Sequence, residues 1–395
     1  MLDTSVDYVP TTDPAELLGD PGAARAALRQ VLAYLAEHAA DLDPAEQLDL
    51  ARRVGLRSGL YAAQFPVEYG GWDMTETLAA ELREEAAATG TGYSRVILSS
   101  HEGPSRMLLS ATPEQRERWL RPLVDGRLTR CLAMTEERGG SDLTRVASTA
   151  TWSGDRWVLS GRKFLISNAA QADVAIVLAR AVGSRAEGPT FFVFGTGNPG
   201  WRVVRALPGM DPLYTQYEVE LDAIELPDDA VVGGPDRVGG AAGVASEWLP
   251  YGRICLAARA VGLARWALNV ARRHADQRVV FDVRLSDKQY IREFIVRSDI
   301  KVEASRALLR NAAVALDAGR LAVREAAMAK LCATESACEV IDDAMQVLGG
   351  RGWLVEYGLE RAYREARLLR IVDGTSEMLK ETVFHMPPRT GERSY

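Results

Sequence analysis

Leu368-Leu369-Arg370-Ile371-Val372-Asp373-Gly374-Thr375-Ser376-Glu377-Met378 sets one acidic side chain on a sharp turn between two helix-like segments. Local chemistry gives Asp373 two readings. Asp-Gly-Thr-Ser is ordinary helix-start composition, in which the Asp side chain accepts hydrogen bonds from amides of the following turn. The other reading is a carboxylate presented as a catalytic base. What flanks the turn decides the architecture around it.

Toward the N-terminus the period is helical. Leu, Val and Ala recur at three- and four-residue spacings over residues 251–274, 286–318 and 321–348, followed by a shorter pair at 356–369 and 375–384. Three long segments with wide alanine-rich faces predict a helix bundle. Before residue 238 the composition changes. Short β-branched or aromatic runs at 129–134, 147–152, 157–159, 163–166, 174–179, 190–194, 201–204 and 217–221 are separated by Gly, Asn, Asp and Pro, with Ser153-Gly154-Asp155-Arg156 as a hairpin turn. They predict a small antiparallel β-barrel or sandwich.

Further upstream, residues 24–39, 44–58, 74–89, 93–109 and 113–124 return to a helical period, the last opened by Thr112 and Pro113. Phe65-Pro66-Val67-Glu68-Tyr69-Gly70-Gly71 demands a loop between them. The expected fold is therefore α+β: an N-terminal α-helical domain (1–126), a middle antiparallel β domain (127–237) and a C-terminal four-helix bundle (238–395). A loose arm precedes Pro21 and a polar tail starts at Pro387.

At 395 residues and 47% apolar, the chain can bury a core for two or three domains. Its net charge of -7 argues against a general nucleic-acid surface. Cys131, Cys255, Cys332 and Cys338 are scattered without a CxxC pair, which predicts thiols in a reducing compartment and no metal site. There is no run of 18 apolar residues, and the acidic start is unlike a signal peptide. The expectation is a cytoplasmic chain with neither nucleic acid nor membrane as partner.

A set of motifs adds a resemblance. Tyr69-Gly70-Gly71 is followed by Ala133-Met134-Thr135-Glu136 with Gly140-Ser141-Asp142, then Lys163-Phe164-Leu165-Ile166-Ser167-Asn168. Next come Arg253 with Val261-Gly262-Leu263-Ala264, Arg278-Val279-Val280-Phe281, Gln346-Val347-Leu348-Gly349-Gly350-Arg351-Gly352, and Arg364-Glu365-Ala366-Arg367 before the Asp373 turn. With these in register over essentially its whole length, the chain resembles the acyl-CoA dehydrogenases.

That resemblance implies an FAD-dependent enzyme acting on an acyl-CoA or acyl-carrier thioester. A carboxylate removes the α proton while hydride leaves the β carbon for flavin N5. The resemblance gives the role of base to Asp373. It lines the flavin with Thr135, Gly140, Ser141, Leu165 and Ser167, and brings Gln346, Gly349, Gly350, Thr375 and Glu377 to the cofactor. Arg278, Phe281 and Gln289 would serve the FAD of a neighbouring subunit, which implies a homo-oligomer, commonly a tetramer. Ser141, Tyr251, Arg253 and Gly374 fall to the substrate, with the thioester oxygen held by the backbone amide at the base and by a ribityl hydroxyl. Tyr93, Arg95, Leu98 and Glu102, on a fourth helix, would floor the acyl pocket, and their polarity implies a short, polar or carboxylated acyl group. The expected electron acceptor is an electron-transferring flavoprotein.

Departures from the family pattern accompany these assignments. Leu165 stands where Trp is common, Ala169 and Asp282 where Gly is common, and Val372 where an aromatic is common. Asp373 replaces the more frequent Glu, and Gly252 rules out the helix position that carries the base in a few members. Asp bases occur in acyl-CoA dehydrogenases of branched, substituted or long acyl chains and in nitroalkane oxidases. Cys131-Leu132-Ala133-Met134-Thr135 and His101-Glu102-Gly103 resemble the former. Two other readings stay open at this point: a flavin oxidase or monooxygenase of the nitroalkane-oxidase kind, and a non-catalytic flavin-binding oligomer whose Asp373 only caps a helix.

Overall fold

The computed structural model describes residues 7–10, 19–99, 102–183 and 186–386. Most of the opening arm, His101 and the tail from Pro387 lie outside the described residues. In chain order the first helices are α1 (Pro21–His38), α2 (Pro44–Arg57) and α3 (Glu76–Ala87). Then come α4 (Pro113–Gln115), a π turn (Arg116–Leu120) and α5 (Arg121–Val124). The strands are β1 (Arg130–Ala133), β2 (Thr149–Trp152), β3 (Trp157–Ser167), β4 (Val174–Val182), β5 (Gly188–Gly195), β6 (Trp201–Leu207) and β7 (Gln216–Leu226). After them stand α6 (Ala241–Gln277), the hairpin strands β8 (Val279–Val280) and β9 (Val283–Arg284), α7 (Gln289–Asp317), α8 (Val323–Leu348), α9 (Leu359–Leu369) and α10 (Ser376–His385). The chain forms two compact units, Met1–Met74 with Val96–Trp248, and Thr75–Arg95 with Leu249–Tyr395.

In the first unit the helix starts follow from side-chain caps. Asp43 accepts from the amides of Ala45 and Glu46, and Glu46 accepts from the Asp43 amide, a reciprocal capping box. Thr112 and Gln115 repeat the device. Gln115 also donates to the carbonyls of Asp229 and Val231, both at 2.7 Å, so the cap of α4 anchors the segment leaving β7.

The sheet is mixed, where the sequence predicted antiparallel pairing. β4 runs parallel to both β1 and β2, which meet it end to end along one edge, and antiparallel to β5 along the other. Two intervening strands separate β1 from β4, and one separates β2 from β4, which is the chain length that a parallel return requires. Strand alternation cannot report direction, because side chains alternate in both kinds of ladder. Trp157, Leu159, Phe192, Val219 and Ile224 fill the sheet's core.

Residues 93–109 are not one helix, as the spacing suggested. They form 3₁₀ turns at Gly92–Val96 and Arg106–Ser110, with Ser99 in the left-handed region at φ 66°. Pro104 lacks the amide a continuing helix needs, and a Cβ on Gly103 would lie 2.4 Å from the Tyr61 hydroxyl. Conversely α6 begins ten residues before the expected Tyr251 and carries Pro250 inside it. Ala241 and Val244 pack into an apolar cluster with Met107, Leu120 and Ile176, and that burial favours helix where the proline does not.

The second unit is a bundle whose core is alanine-rich, with Ala257, Ala264, Ala312, Ala326, Ala333 and Ala366 buried together. α6 is long and apolar enough to cross a bilayer by length and composition. Its apolar face is spent inside the protein, and Arg259 and Arg265 on it pair with Glu365 and Glu84. Glu84 also takes a bidentate contact from Arg306, which fastens α3 to α7. Small residues permit this approach. A Cβ on Gly262 would lie 2.4 Å from the Glu84 carbonyl oxygen and 2.6 Å from Ala87 Cβ. Gly262→Ala is therefore expected to destabilise the protein by about 1–3 kcal/mol through overpacking, read as a lowered urea midpoint, with the flavin-free and flavin-loaded proteins affected alike.

Candidate active site

In the first unit, the predicted flavin residues gather where β1 ends beside β3. The Phe164 amide donates to the Thr135 carbonyl at 2.9 Å, and the Asn168 side chain donates to the Arg130 carbonyl at 3.0 Å. Between Lys163 and Ile166 the β3–β7 register slips, three steps on β3 facing two on β7. This bulge puts Leu165 at φ 59° and leaves its apolar side chain 50% exposed, while Lys163 and Ile166 point into the core. Leu165 and Ser167 thus share the outward side, as expected, although strict alternation fails one residue earlier. Thr135 and Ser167 are half-buried, and Gly140 and Ser141 are exposed in the adjoining hairpin.

Two charged residues that the sequence reading passed over hold this corner. Lys163 is fully buried, and its ammonium donates to Glu136 at 2.7 Å. The Glu136 carboxylate also accepts from the Ala147 and Ser148 amides and the Ser148 hydroxyl, at 2.7, 2.9 and 2.6 Å. Burial pushes the Lys163 pKa down against the pull of Glu136. For Glu136 burial works upward, but the hydrogen bonds from Lys163 and Ser148 hold its pKa below the ordinary carboxylate value. Lys163 shares the core-facing side of β3 with Leu159. A lone lysine on an apolar strand face was the signal available in the sequence.

In the second unit, α9 ends at Leu369, and residues 370–374 turn sharply into α10. Asp373 has φ 52° and Gly374 φ 99°. The Ser376 amide closes the turn on the Arg370 carbonyl at 3.2 Å. The cap of α10 is Thr375, whose hydroxyl accepts from the Met378 amide, so Asp373 is not the residue that starts the helix. Glu377 lies exposed in the first turn, its pKa lowered chiefly by its own backbone amide and by the Thr375 hydroxyl.

Arg253, buried in α6, donates from Nε to the Asp373 carbonyl at 3.4 Å. Burial lowers its pKa, while Asp373 pulls it the other way. Tyr251 stands two residues before it, half-buried. A third group was missed by sequence reasoning. Lys330 of α8 is fully buried and donates to the carbonyls of Val372 and Gly374, at 2.7 and 2.6 Å. Ala326, Lys330, Ala333 and Ala337 repeat at helical spacing and are all buried, so the lysine occupies the apolar face.

The remaining predicted residues are spread over both units. Gln346, Gly349 and Gly350 are exposed where α8 ends, with open space around both glycines. Phe281 and Asp282 form the β8–β9 turn at φ 50° and 62°, which lets Asp282 serve where glycine is common. Phe281 is 89% exposed, and Arg278 and Gln289 are exposed beside the hairpin. Tyr93 and Arg95 are buried in the second unit, Leu98 is buried and Glu102 half-buried in the first. They do not share one helix face. Arg95 is instead one of three arginines around the buried Glu365, with Arg259 at 2.6 Å and Arg361 at 3.0 Å. Burial opposes ionisation of Glu365, but the three guanidinium groups hold its pKa below the ordinary value.

These residues suit FAD. The outward Leu165 offers an apolar surface to a planar ring, Thr135 and Ser167 offer hydroxyls beside it, and exposed Arg278 and Phe281 are the types that take a diphosphate and an adenine. The folded-state pKa of Glu136 is depressed, so its stabilisation is full above the ordinary carboxylate pKa of about 4.3 and is lost as pH falls through the folded value. Glu136→Gln should lower stability by about 3 kcal/mol at pH 7, by stranding Lys163, and the gap between variant and wild type in denaturant titrations should close as the pH falls below the ordinary carboxylate range and through the folded Glu136 value.

Sequence models of three acyl-CoA dehydrogenase domains match in order: the N-terminal domain over residues 22–127, the middle domain over 131–224 and the C-terminal domain over 240–385. The chain is 33% identical to the human mitochondrial short-chain specific acyl-CoA dehydrogenase over 329 residues, 81% of this chain and 78% of that one. It is 31% identical to subunit CarC of the caffeyl-CoA reductase-Etf complex of Acetobacterium woodii, over 83% of this chain and 86% of the relative. Butyryl-CoA dehydrogenase from Megasphaera elsdenii has the same fold, with a TM-score of 0.82 and 26% identity over 96% of this chain and 99% of that structure. This chain belongs to the acyl-CoA dehydrogenase family.

Proposed function

We propose that Asp373 is the base of the FAD-dependent acyl-CoA dehydrogenation that this family carries out. One observation carries the reading. The cap of α10 is Thr375, and the turn before it holds Asp373 at φ 52° beside Arg253 and Lys330. Left-handed backbone is uncommon at residues other than Gly, and Asp is among the few that adopt it readily. Arg253 and Lys330 both feel the Asp373 charge, and both bond to the carbonyls of its turn. FAD supplies the acceptor for the β hydride. The chain's own part is to take the α proton on the Asp373 carboxylate and to offer the amide of the same turn to the thioester oxygen.

Partner and substrate follow as further parts of the proposal. Electron transfer to an electron-transferring flavoprotein is supported by the Acetobacterium woodii relative, which is named as a subunit of an Etf complex. A homo-oligomer is supported by the second unit's exposed apolar residues, Phe281 with Tyr290, Val296 and Ile300 of α7. A short, polar or carboxylated acyl group is supported by the polar side chains of Tyr93, Arg95 and Glu102 at the positions that the family resemblance gives to the acyl pocket. Thiols at Cys131, Cys255, Cys332 and Cys338, all unpaired, suit a cytoplasmic site.

Asp373→Asn should keep its bound flavin and lose at least about a thousandfold in the rate of anaerobic flavin reduction by acyl-CoA, the scale of a general base together with lost carboxylate geometry. Retained turnover would place the base elsewhere. In a panel of acyl-CoAs, short or carboxylated acyl groups should reduce the flavin fastest, and a preference for long alkyl chains would overturn the substrate reading.

A further inference from the structure

Three consecutive carbonyl oxygens of the 372–374 turn rest on two buried cations. Lys330 Nζ takes those of Val372 and Gly374, and Arg253 Nε takes that of Asp373. The peptide bond is planar and trans, so the oxygen and the amide hydrogen of each peptide unit point opposite ways. With the Val372 oxygen fixed on Lys330, the Asp373 amide is directed to the other side of the turn. With the Gly374 oxygen fixed on the same ammonium, the peptide leading into the Thr375 cap is set as well. A residue at φ 52° next to one at φ 99° has other backbone arrangements available to it, and the ammonium selects one.

Bundle stability does not explain this lysine. A buried charge carries a desolvation cost that an apolar side chain of similar volume avoids, and Lys330 sits in an alanine-rich helix face where such a side chain would pack. Its ammonium is strained by the position. Burial pushes its pKa down to about 8, with Asp373 pulling up, Arg253 pushing down further and Glu335 pulling up. Glu335 has its own ties to the turn, through Arg370 at 2.7 Å and the Ser376 hydroxyl.

We propose that Lys330 is a positioning residue for proton abstraction: by holding the carbonyls on both sides of Asp373, it aims the Asp373 amide and carboxylate at the substrate. The inference rests on Asp373 as the base. It acts through the backbone of the turn.

The test is exchange of the α proton with D₂O, followed by NMR, in an acyl-CoA whose β carbon has no hydride to give. This reads proton abstraction without flavin reduction. Lys330→Met, matched in length but without donors, should keep its FAD content and bind the ligand within a few-fold of wild type, while exchange per bound flavin falls about 100-fold, the scale of a misplacement near 1 Å. Lys330→Gln, which keeps a donor and no charge, should recover part of that loss and also covers the case in which the Met variant does not fold. Wild-type exchange per flavin in the Met variant, or no recovery in the Gln variant beyond the Met level, would overturn the role of Lys330. Asp373→Asn, run in parallel, separates the two ideas: if it abolishes exchange while the Lys330 variants exchange normally, only the positioning role fails, and if it exchanges normally, the base assignment fails and takes the positioning role with it.

Discussion

A buried ammonium must find acceptors, and in this protein Lys163 and Lys330 find them at the corner of β1 and β3 and in the turn at Asp373. Lys163 reaches Glu136, and Glu136 in turn gathers the amides of Ala147 and Ser148, so the end of β1, the following hairpin and β3 become one corner. Lys330 reaches the carbonyls flanking Asp373. In each case a buried charge finds hydrogen-bond acceptors held in a single arrangement, and the arrangement is rigid for the same reason that it is satisfied.

The bundle supports this by packing closely. Alanines and Gly262 let α6 approach α3 until backbone and side chain touch, which leaves little freedom for the helices that carry Arg253 and Lys330. The ion pairs follow the same logic. Glu84 and Glu365 are each buried against more than one arginine, so their carboxylates are neutralised in place and fasten α3 and α9 to the longer helices. The Asp373 turn hangs from this frame at three successive carbonyls.

Much of this was legible from residue order. The long helices, the β segment and the turn at Asp373 all announce themselves by period and by Gly and Pro, because those signals come from neighbours within a few residues. Residues 93–109 misled, since their apolar spacing resembles a helix while Pro104 breaks one. The strand directions were also hidden, because alternation is the same in parallel and antiparallel ladders. Asp373 itself was ambiguous in the sequence, and only the structure placed the α10 cap at Thr375.

Sequence by itself determined the family, the segment types and the residue that stands at the turn. Its motifs are local or keep a fixed register, and local sterics and hydrophobic period dictate them. Tertiary structure alone decided that Lys330, more than forty residues before Asp373, would lie beneath it, that Arg95 would answer Glu365, and that Leu165 would be turned outward by a bulge. Those outcomes depend on which distant groups share a desolvated space, and charge in such a space is matched by whatever the fold brings near, which no spacing along the chain encodes.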